Sequence, residues 1–425
     1  MLRRSAALLL VSSAVTFGAA PKVQQLFDEV RGKVLDNTSR VPRYTCVETI
    51  ERHQYRPPLG VKAADCASLI EAHRQALSPG ILLWRDRLRL DVAVLNGKET
   101  FAWAGARQFE TTDIEDLISS GSSGSGDFAS FLASVFGMAG TRISFLSEIK
   151  SPTDLSALFA FTVPLERSRY VYRDHGTGAE KTIGYHGSFL VDEARAELRR
   201  LTVEADRFPD DEDMCRVEDV MDYHHVKIGD GDFLLPEAAK MTVLFNGGQE
   251  ARNETSYSDC REYVGESKIS FGDDTPGGDG TTPGAKPPGR KTAAPGKLRA
   301  GLRLQIGLKS PIHSQTAAAG DPVTGVILRN VKDVARANDL VHGRVLRIEQ
   351  RLVPFPRWTV TIRFDSIEHN GGEEALDLRP LDDGYRARRN VVPQERRPAQ
   401  AGVFIFAGAG DLVLDEKFHS EWETR

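Results

Sequence analysis

The sequence predicts a mainly β protein: a curved antiparallel half-barrel sheet with lid or core helices, followed by a small C-terminal β-barrel or sandwich. Three observations carry that expectation. Short runs of alternating apolar and polar residues recur along most of the chain. Turn residues, above all Gly with Asp or Asn, separate those runs at hairpin spacing. A stretch at 272–297 with seven Gly and five Pro divides one set of runs from the other.

The chain opens with Arg3 and Arg4, an apolar run from Ala6 to Val15, and the small residues Gly18, Ala19 and Ala20 after Phe17. This is the pattern of an export signal over 1–20. The apolar run is too short to cross a bilayer, which takes about 20 residues, and no transmembrane segment is expected in the mature chain. The expected location is periplasmic or secreted.

The first module, 21–271, begins with a helix in which Val23, Leu26, Phe27, Val30 and Val34 share one face, ending before Pro42. In Arg87 to Val94, Leu88, Leu90, Val92 and Val94 alternate with Arg87, Arg89, Asp91 and Ala93, which suits a strand with one buried face. Asn96-Gly97 follows as a hairpin signal, with Thr100 to Trp103 as the return strand. Ser119 to Gly126, SSGSSGSG, reads as a flexible loop. Asp127 then caps a helix carrying Phe128, Phe131, Leu132, Val135 and Phe136, stopped by Gly137. From Thr141 to Ser270 strands return, with turns around Asp192 to Ala196, Gly229-Asp230-Gly231 and Gly247-Gly248.

The segment 272–297 has too little apolar surface to repay its ordering entropy and reads as a tether that leaves the relative pose of the modules open. The second module, 298–425, shows runs at 302–308, 323–329, 341–348 and 402–406, with Val360, Ile362 and Phe364 alternating with polar residues. Closure of such a set hides its edges.

Chemistry is sparse. A net charge of -5 argues against a nucleic-acid partner. The common zinc, nucleophile-elbow, phosphate-loop and dinucleotide motifs are absent from the sequence, so no catalytic residue, metal ligand or cofactor is assigned. His224 and His225, adjacent on a strand, point to opposite faces, one half-buried and one solvated. His175 and His186 flank another hairpin. Asp210, Asp211, Glu212 and Asp213, like Asp230 and Asp232, read as solvated turn charges. Glu48 and Glu51 fall on opposite faces of their strand, so they do not form a paired acid and base, although one of them can face a cavity.

The cysteines are Cys46, Cys66, Cys215 and Cys260. Four cysteines allow three pairings, and an exported chain is expected to form disulfides. Nearness in sequence favours Cys46 with Cys66 and Cys215 with Cys260.

Gly187 to Asp192, Glu197 to Leu201, Tyr223, Lys227-Ile228-Gly229 and Phe233 to Pro236 recur as successive hairpins in a pattern that resembles the outer-membrane lipoprotein carrier superfamily, LolA- and LppX-like. That resemblance implies a curved sheet wrapped around helices and an apolar cavity. The second module resembles the β-barrel domain of conjugative secretion-channel proteins. It does so through Ala300-Gly301-Leu302, Pro311 to Ser314, Gly320 to Gly325, Asn330-Val331 and Gly343-Arg344-Val345. That implies envelope-side binding or assembly.

The leading expectation is a non-enzymatic envelope protein that binds a lipid or acyl chain, or a lipoprotein, in a cavity lined by Leu88, Leu90, Val92, Phe128, Phe131, Val135, Phe189, Leu201 and Val203. The alternatives are a scaffold that binds envelope protein partners and a hydrolase with an unrecognised site.

Overall fold

Alternation is what makes this chain a sheet former: in Leu155–Val163 the residues Ala157, Phe159, Phe161 and Val163 are buried, while those between them are half-exposed. The structure, a computed structural model, describes residues 20–57, 65–75, 80–95, 98–106, 109, 114, 117–118, 130–152, 154–173, 179–209, 212–263, 299–332, 334–369, 371–381 and 400–425. The expected export signal apart from Ala20, the Asn96-Gly97 turn, the serine-glycine loop, Asp127, Phe128, His175, Asp210, Asp211 and the segment 272–297 lie outside the described residues.

The N-terminal strands in chain order are β1 (Tyr44–Arg56), β2 (Ile81–Leu95), β3 (Lys98–Trp103), β4 (Arg142–Lys150), β5 (Leu155–Val163), β6 (Val171–Arg173), β7 (Glu180–Thr182), β8 (Tyr185–Asp192), β9 (Glu197–Ala205), β10 (Met214–Ile228), β11 (Gly231–Phe245) and β12 (Glu250–Glu262). Strands β6 and β7 pair with each other as a separate ribbon. The others form one antiparallel run in the spatial order β4-β5-β8-β9-β10-β11-β12-β1-β2-β3. Register shifts in β4, β9, β10 and β12 bend the sheet, as bulges do.

Helix α1 (Ala20–Arg40) covers one sheet face, burying Val30 and Val34. Helix α2 (Cys66–Gln75) lies on the other, with Leu69 against Cys215 and Leu244. Asp65 caps α2, its carboxylate accepting the Ser68 N–H at 2.8 Å. The apolar stripe after the serine-glycine loop forms α3 (Ser130–Leu132), which continues as a π-helical turn, Ala133–Gly137, where a single α-helix is expected. In a π turn the hydrogen bonds run i to i+5, so Phe136 sits nearly above Phe131. Phe131, Leu132, Val135 and Phe136 are thereby all buried against the sheet.

The disulfides are Cys46–Cys260 and Cys66–Cys215, which corrects the pairing favoured by sequence proximity. The reason is topological. Strand β12 returns beside β1 and brings the Cα atoms of Cys46 and Cys260 to 4.1 Å, while Cys66 opens the helix that lies over β10.

The C-terminal strands are β13 (Arg303–Leu308), β14 (Ile312–His313), β15 (Pro322–Ile327), β16 (Leu340–Arg351), β17 (Arg357–His369), β18 (Gly372–Ala375), β19 (Leu378–Pro380), β20 (Gly402–Ala407), β21 (Val413–Leu414) and β22 (His419–Thr424). They curl around one core in the order β19-β22-β13-β15-β16-β17-β20, and Trp422, Val360, Ile362 and Phe364 lie at its centre. Among the described residues the pairings do not close this sheet into a barrel.

The two sets of strands are joined directly, where the tether alone was expected to leave their pose open. Strand β3 covers the outer edge of β2 only from Leu90 to Leu95, and β16 takes over that edge at Asp86, Arg85 and Trp84. Between them Ala319 exchanges backbone bonds with Arg87 and Arg89 at 2.8 and 2.7 Å. An edge that would otherwise invite foreign strands is thus paired within the chain. The seam sets Glu349 opposite Asp86, and each carboxylate has its own guanidinium: Arg347 and Arg351 on Glu349, Arg52 on Asp86, all at 2.5 Å. Burial alone would raise the Glu349 carboxyl, but the two arginines outweigh it and hold the group below the usual carboxylate range.

Gly320 makes the approach possible. Its φ of +108° suits glycine, and a Cβ there would collide with the Arg89 carbonyl oxygen. Gly320→Ala is therefore expected to cost about 1–3 kcal/mol. Urea denaturation reads this, and an unchanged midpoint would contradict the seam as described.

Candidate apolar site and inter-module cleft

The face under α1 is built from aromatic rings. Phe159 and Phe189 stack at 5.0 Å between centroids, Phe136 meets Phe189 at 5.0 Å, and Phe131 meets Tyr170 and Tyr185 edge-on at 5.3 and 5.4 Å. Phe27 of α1 closes over Phe159 and Phe189 at 6.1 and 6.3 Å. The network reaches solvent on one side. Phe145, on the edge strand β4, stands edge-on to Phe159 at 5.6 Å and is 37% exposed.

Helix α1 is pinned at two points. The Arg31 Nε donates to the Phe136 carbonyl at 2.7 Å, satisfying a group at the end of the π turn. The Asn37 side-chain amide exchanges two hydrogen bonds, each 2.9 Å, with the Leu234 backbone, where β12 no longer pairs with β11.

The candidate lining residues fall into two groups. Phe131, Val135, Phe189, Leu201 and Val203 belong to the aromatic cluster under α1. Leu88, Leu90 and Val92 belong to a neighbouring cluster with Ile50, Phe101, Trp103 and Ile114. All are buried, and Ala239 packs against both clusters.

Of the two carboxylates expected on opposite faces of β1, one of them able to face a cavity, Glu48 is the one turned inward, and the inward Arg52 was not foreseen. Cys46, Glu48, Ile50 and Arg52 share the inward parity of β1, and Glu48 is fully buried opposite Leu90 and Tyr257. Its Oε1 accepts from the Tyr257 hydroxyl at 3.4 Å, and its Oε2 has no partner among the described residues. Burial first, then the negative charge of Glu99, pushes its pKa up to about 8, although the Tyr257 bond opposes them. Arg52, four residues on, is held by Asp86 and lies 5.7 Å from the Trp84 ring. The readable signal was parity: once the buried face of β1 is known, a carboxylate and a guanidinium stand among its inward positions.

Glu51 faces the other way, as expected, and binds Arg87 at 2.7 Å. With His53, Arg85 and Arg87 it floors a polar cleft of about 280 Å³, roofed by Ser314, Gln315, Trp358 and Asp411 of the C-terminal strands. Burial holds His53 below its usual imidazole range, and its Nδ1 has no partner among the described residues.

His224 is half-buried and His225 is exposed, near Glu197 and Asp232 at 3.4 Å each, as expected. His186 pairs with Asp206 at 2.9 Å at the surface. Glu212 departs from the expectation of a solvated turn charge. It is buried because Lys181 at 2.6 Å and the Tyr172 hydroxyl at 3.2 Å replace its water. Among the described residues no group of His, Cys, Asp and Glu is placed to hold a metal. None of the described helices is long and apolar enough to cross a membrane.

No family model matches this sequence, and no curated protein matches it. A LolA superfamily protein from Nitrosomonas europaea is similar in structure at 10% identity and a TM-score of 0.25, covering 58% of this chain and 96% of that one. A superposition of that quality lends no support to a shared ligand or role.

Proposed function

We propose that residues 21–271 form a non-enzymatic binding module of an exported, periplasmic or secreted protein. It takes an apolar ligand, a lipid or acyl chain, between α1 and the sheet. The tether 272–297 leads to the module 298–425, which braces the sheet edge. One observation carries this reading: the ring network is continuous from fully buried Phe189 through Phe159 to exposed Phe145, an apolar path from the interior to solvent. A ligand entering there lifts α1 and the π turn and replaces their contacts with its own. Its affinity comes from buried apolar area, at about 25 cal/mol per Å² before association costs.

The test is saturable uptake of a fluorescent acyl ester by the oxidised full chain, with native mass spectrometry of protein exported in a bacterial host. Phe145→Asp, at an exposed position, is expected to weaken uptake about tenfold without unfolding the protein. Bare protein in the spectrometer together with no uptake would refute the reading.

A scaffold role draws on a different observation. Strand β4 pairs only with β5 among the described residues and exposes Phe145, Leu146 and Ile149, an edge suited to strand addition by an envelope protein. Crosslinking from cysteine introduced at Ser144 should then capture a partner in cells, and failure to capture one would count against it.

A further inference from the structure

We propose that Glu48 is the polar recognition point of the apolar site, its carboxyl O–H donating to the carbonyl oxygen at the head of an uncharged acyl ester. This rests on the apolar-ligand reading above and names the class of ligand.

Glu48 has no solvent exposure and lies among Cys46, Ile50, Leu90 and Val92, and among the described residues its hydrogen-bond partner is Tyr257. Its Oε2 is unpartnered among the described residues. An orphaned polar atom in such a place is destabilising, so a side chain kept there needs a reason that packing does not supply. Burial and Glu99 together keep the group protonated at neutral pH. A protonated carboxyl offers one O–H donor, and in an apolar wall that donor selects ligands by the acceptor they bring.

The sign of the neighbouring charges narrows the choice. Arg52 is already engaged by Asp86, and Glu99 faces the same group. A free fatty-acid carboxylate would set a second negative charge beside Glu99, while a plain hydrocarbon leaves the donor orphaned. An uncharged ester avoids both penalties.

The sheet register sets the course of the chain. In the row that runs Ile50, Thr255, Ala239, Met221, Leu201, one residue pair along from Glu48, the path from β1 to β10 crosses three strand spacings, about 14 Å. A tail laid along it from Glu48 ends on Met221 and Leu201, in the cluster that holds Phe189.

The experiment uses the oxidised full chain at neutral pH, with methyl palmitate, palmitate and heptadecane each competing against a bound fluorescent acyl ester. Wild-type protein, Glu48→Gln and Glu48→Leu are compared by the ratio of ester to hydrocarbon potency, which cancels solubility. Wild type should prefer the ester over both competitors. Glu48→Leu should lose about tenfold of that preference while still binding heptadecane, and Glu48→Gln, which keeps an N–H donor, should retain it. A Leu variant with the wild-type ratio, or a wild type with no preference, would overturn the proposal and leave the apolar-ligand reading standing. Failure of the probe to bind wild type at all would overturn both.

Discussion

Glu48→Leu is expected to make the protein more stable, and by an amount that grows with pH. The folded carboxyl titrates at about 8 against an ordinary value of 4.5, because burial and Glu99 disfavour its charged form. Below about pH 4.5 both states hold the proton and the group contributes nothing to the pH dependence. Above it the unfolded chain releases the proton while the folded one keeps it, so stability falls as pH rises and levels off beyond about pH 8. At about 1.36 kcal/mol per unit the full fall is on the order of 5 kcal/mol. Urea denaturation across that window, on wild type and Glu48→Leu, should give curves that diverge steadily toward alkaline pH. Parallel curves would show that Glu48 ionises in the folded state as it does in water. A gain in stability that accompanies a loss of ester preference is the usual sign of a residue kept for a ligand at the fold's expense.

Opening the two disulfides is the other large effect. The bridges span 214 and 149 residues, loops for which chain-entropy arguments put each contribution at about 5 kcal/mol. They act on different parts of the sheet. Cys46–Cys260 ties β1, the strand that carries Glu48, to its neighbour β12, while Cys66–Cys215 holds α2 to β10. Cys66→Ala with Cys215→Ala should free α2 and expose Leu244, with a loss of several kcal/mol. Cys46→Ala with Cys260→Ala should in addition raise hydrogen exchange in β1 and β12. Thermal denaturation of each double variant checks the magnitude, and exchange mapped by mass spectrometry checks the location. A midpoint unmoved by either pair of substitutions would refute this account.

The candidate site divides into what is local along the chain and what is not. Leu88, Leu90 and Val92 are inward because alternation is local: in a strand every second side chain shares a face. Phe131, Val135 and Val30 are inward because helical spacing is equally local. The assignment of those residues to one cavity or two neighbouring clusters depends on how far apart β2 and β8 fall in the sheet. Spacing in sequence carries no record of that distance. The same holds for the π turn: the apolar stripe is local, but the wider turn at Ala133–Gly137 is seen only in the folded chain, where Phe131 and Phe136 both pack on the sheet.

What the sequence by itself determined were the properties that one element carries within itself. These are the strand and helix faces, the turns at Gly229, Gly247 and Gly248 with their positive φ, and the split of His224 from His225 and of Glu48 from Glu51 across β1. The tertiary structure alone decided the partners. It set β12 beside β1, and so Cys260 beside Cys46. It laid β16 along the part of β2 that β3 leaves bare, and so made a cleft floored by one set of strands and roofed by the other. It also sealed Glu48 from water, turning an ordinary acidic residue into a neutral hydrogen-bond donor. The division is physical: backbone geometry repeats over a few residues, whereas partners and burial depend on which distant segments the folded chain brings together.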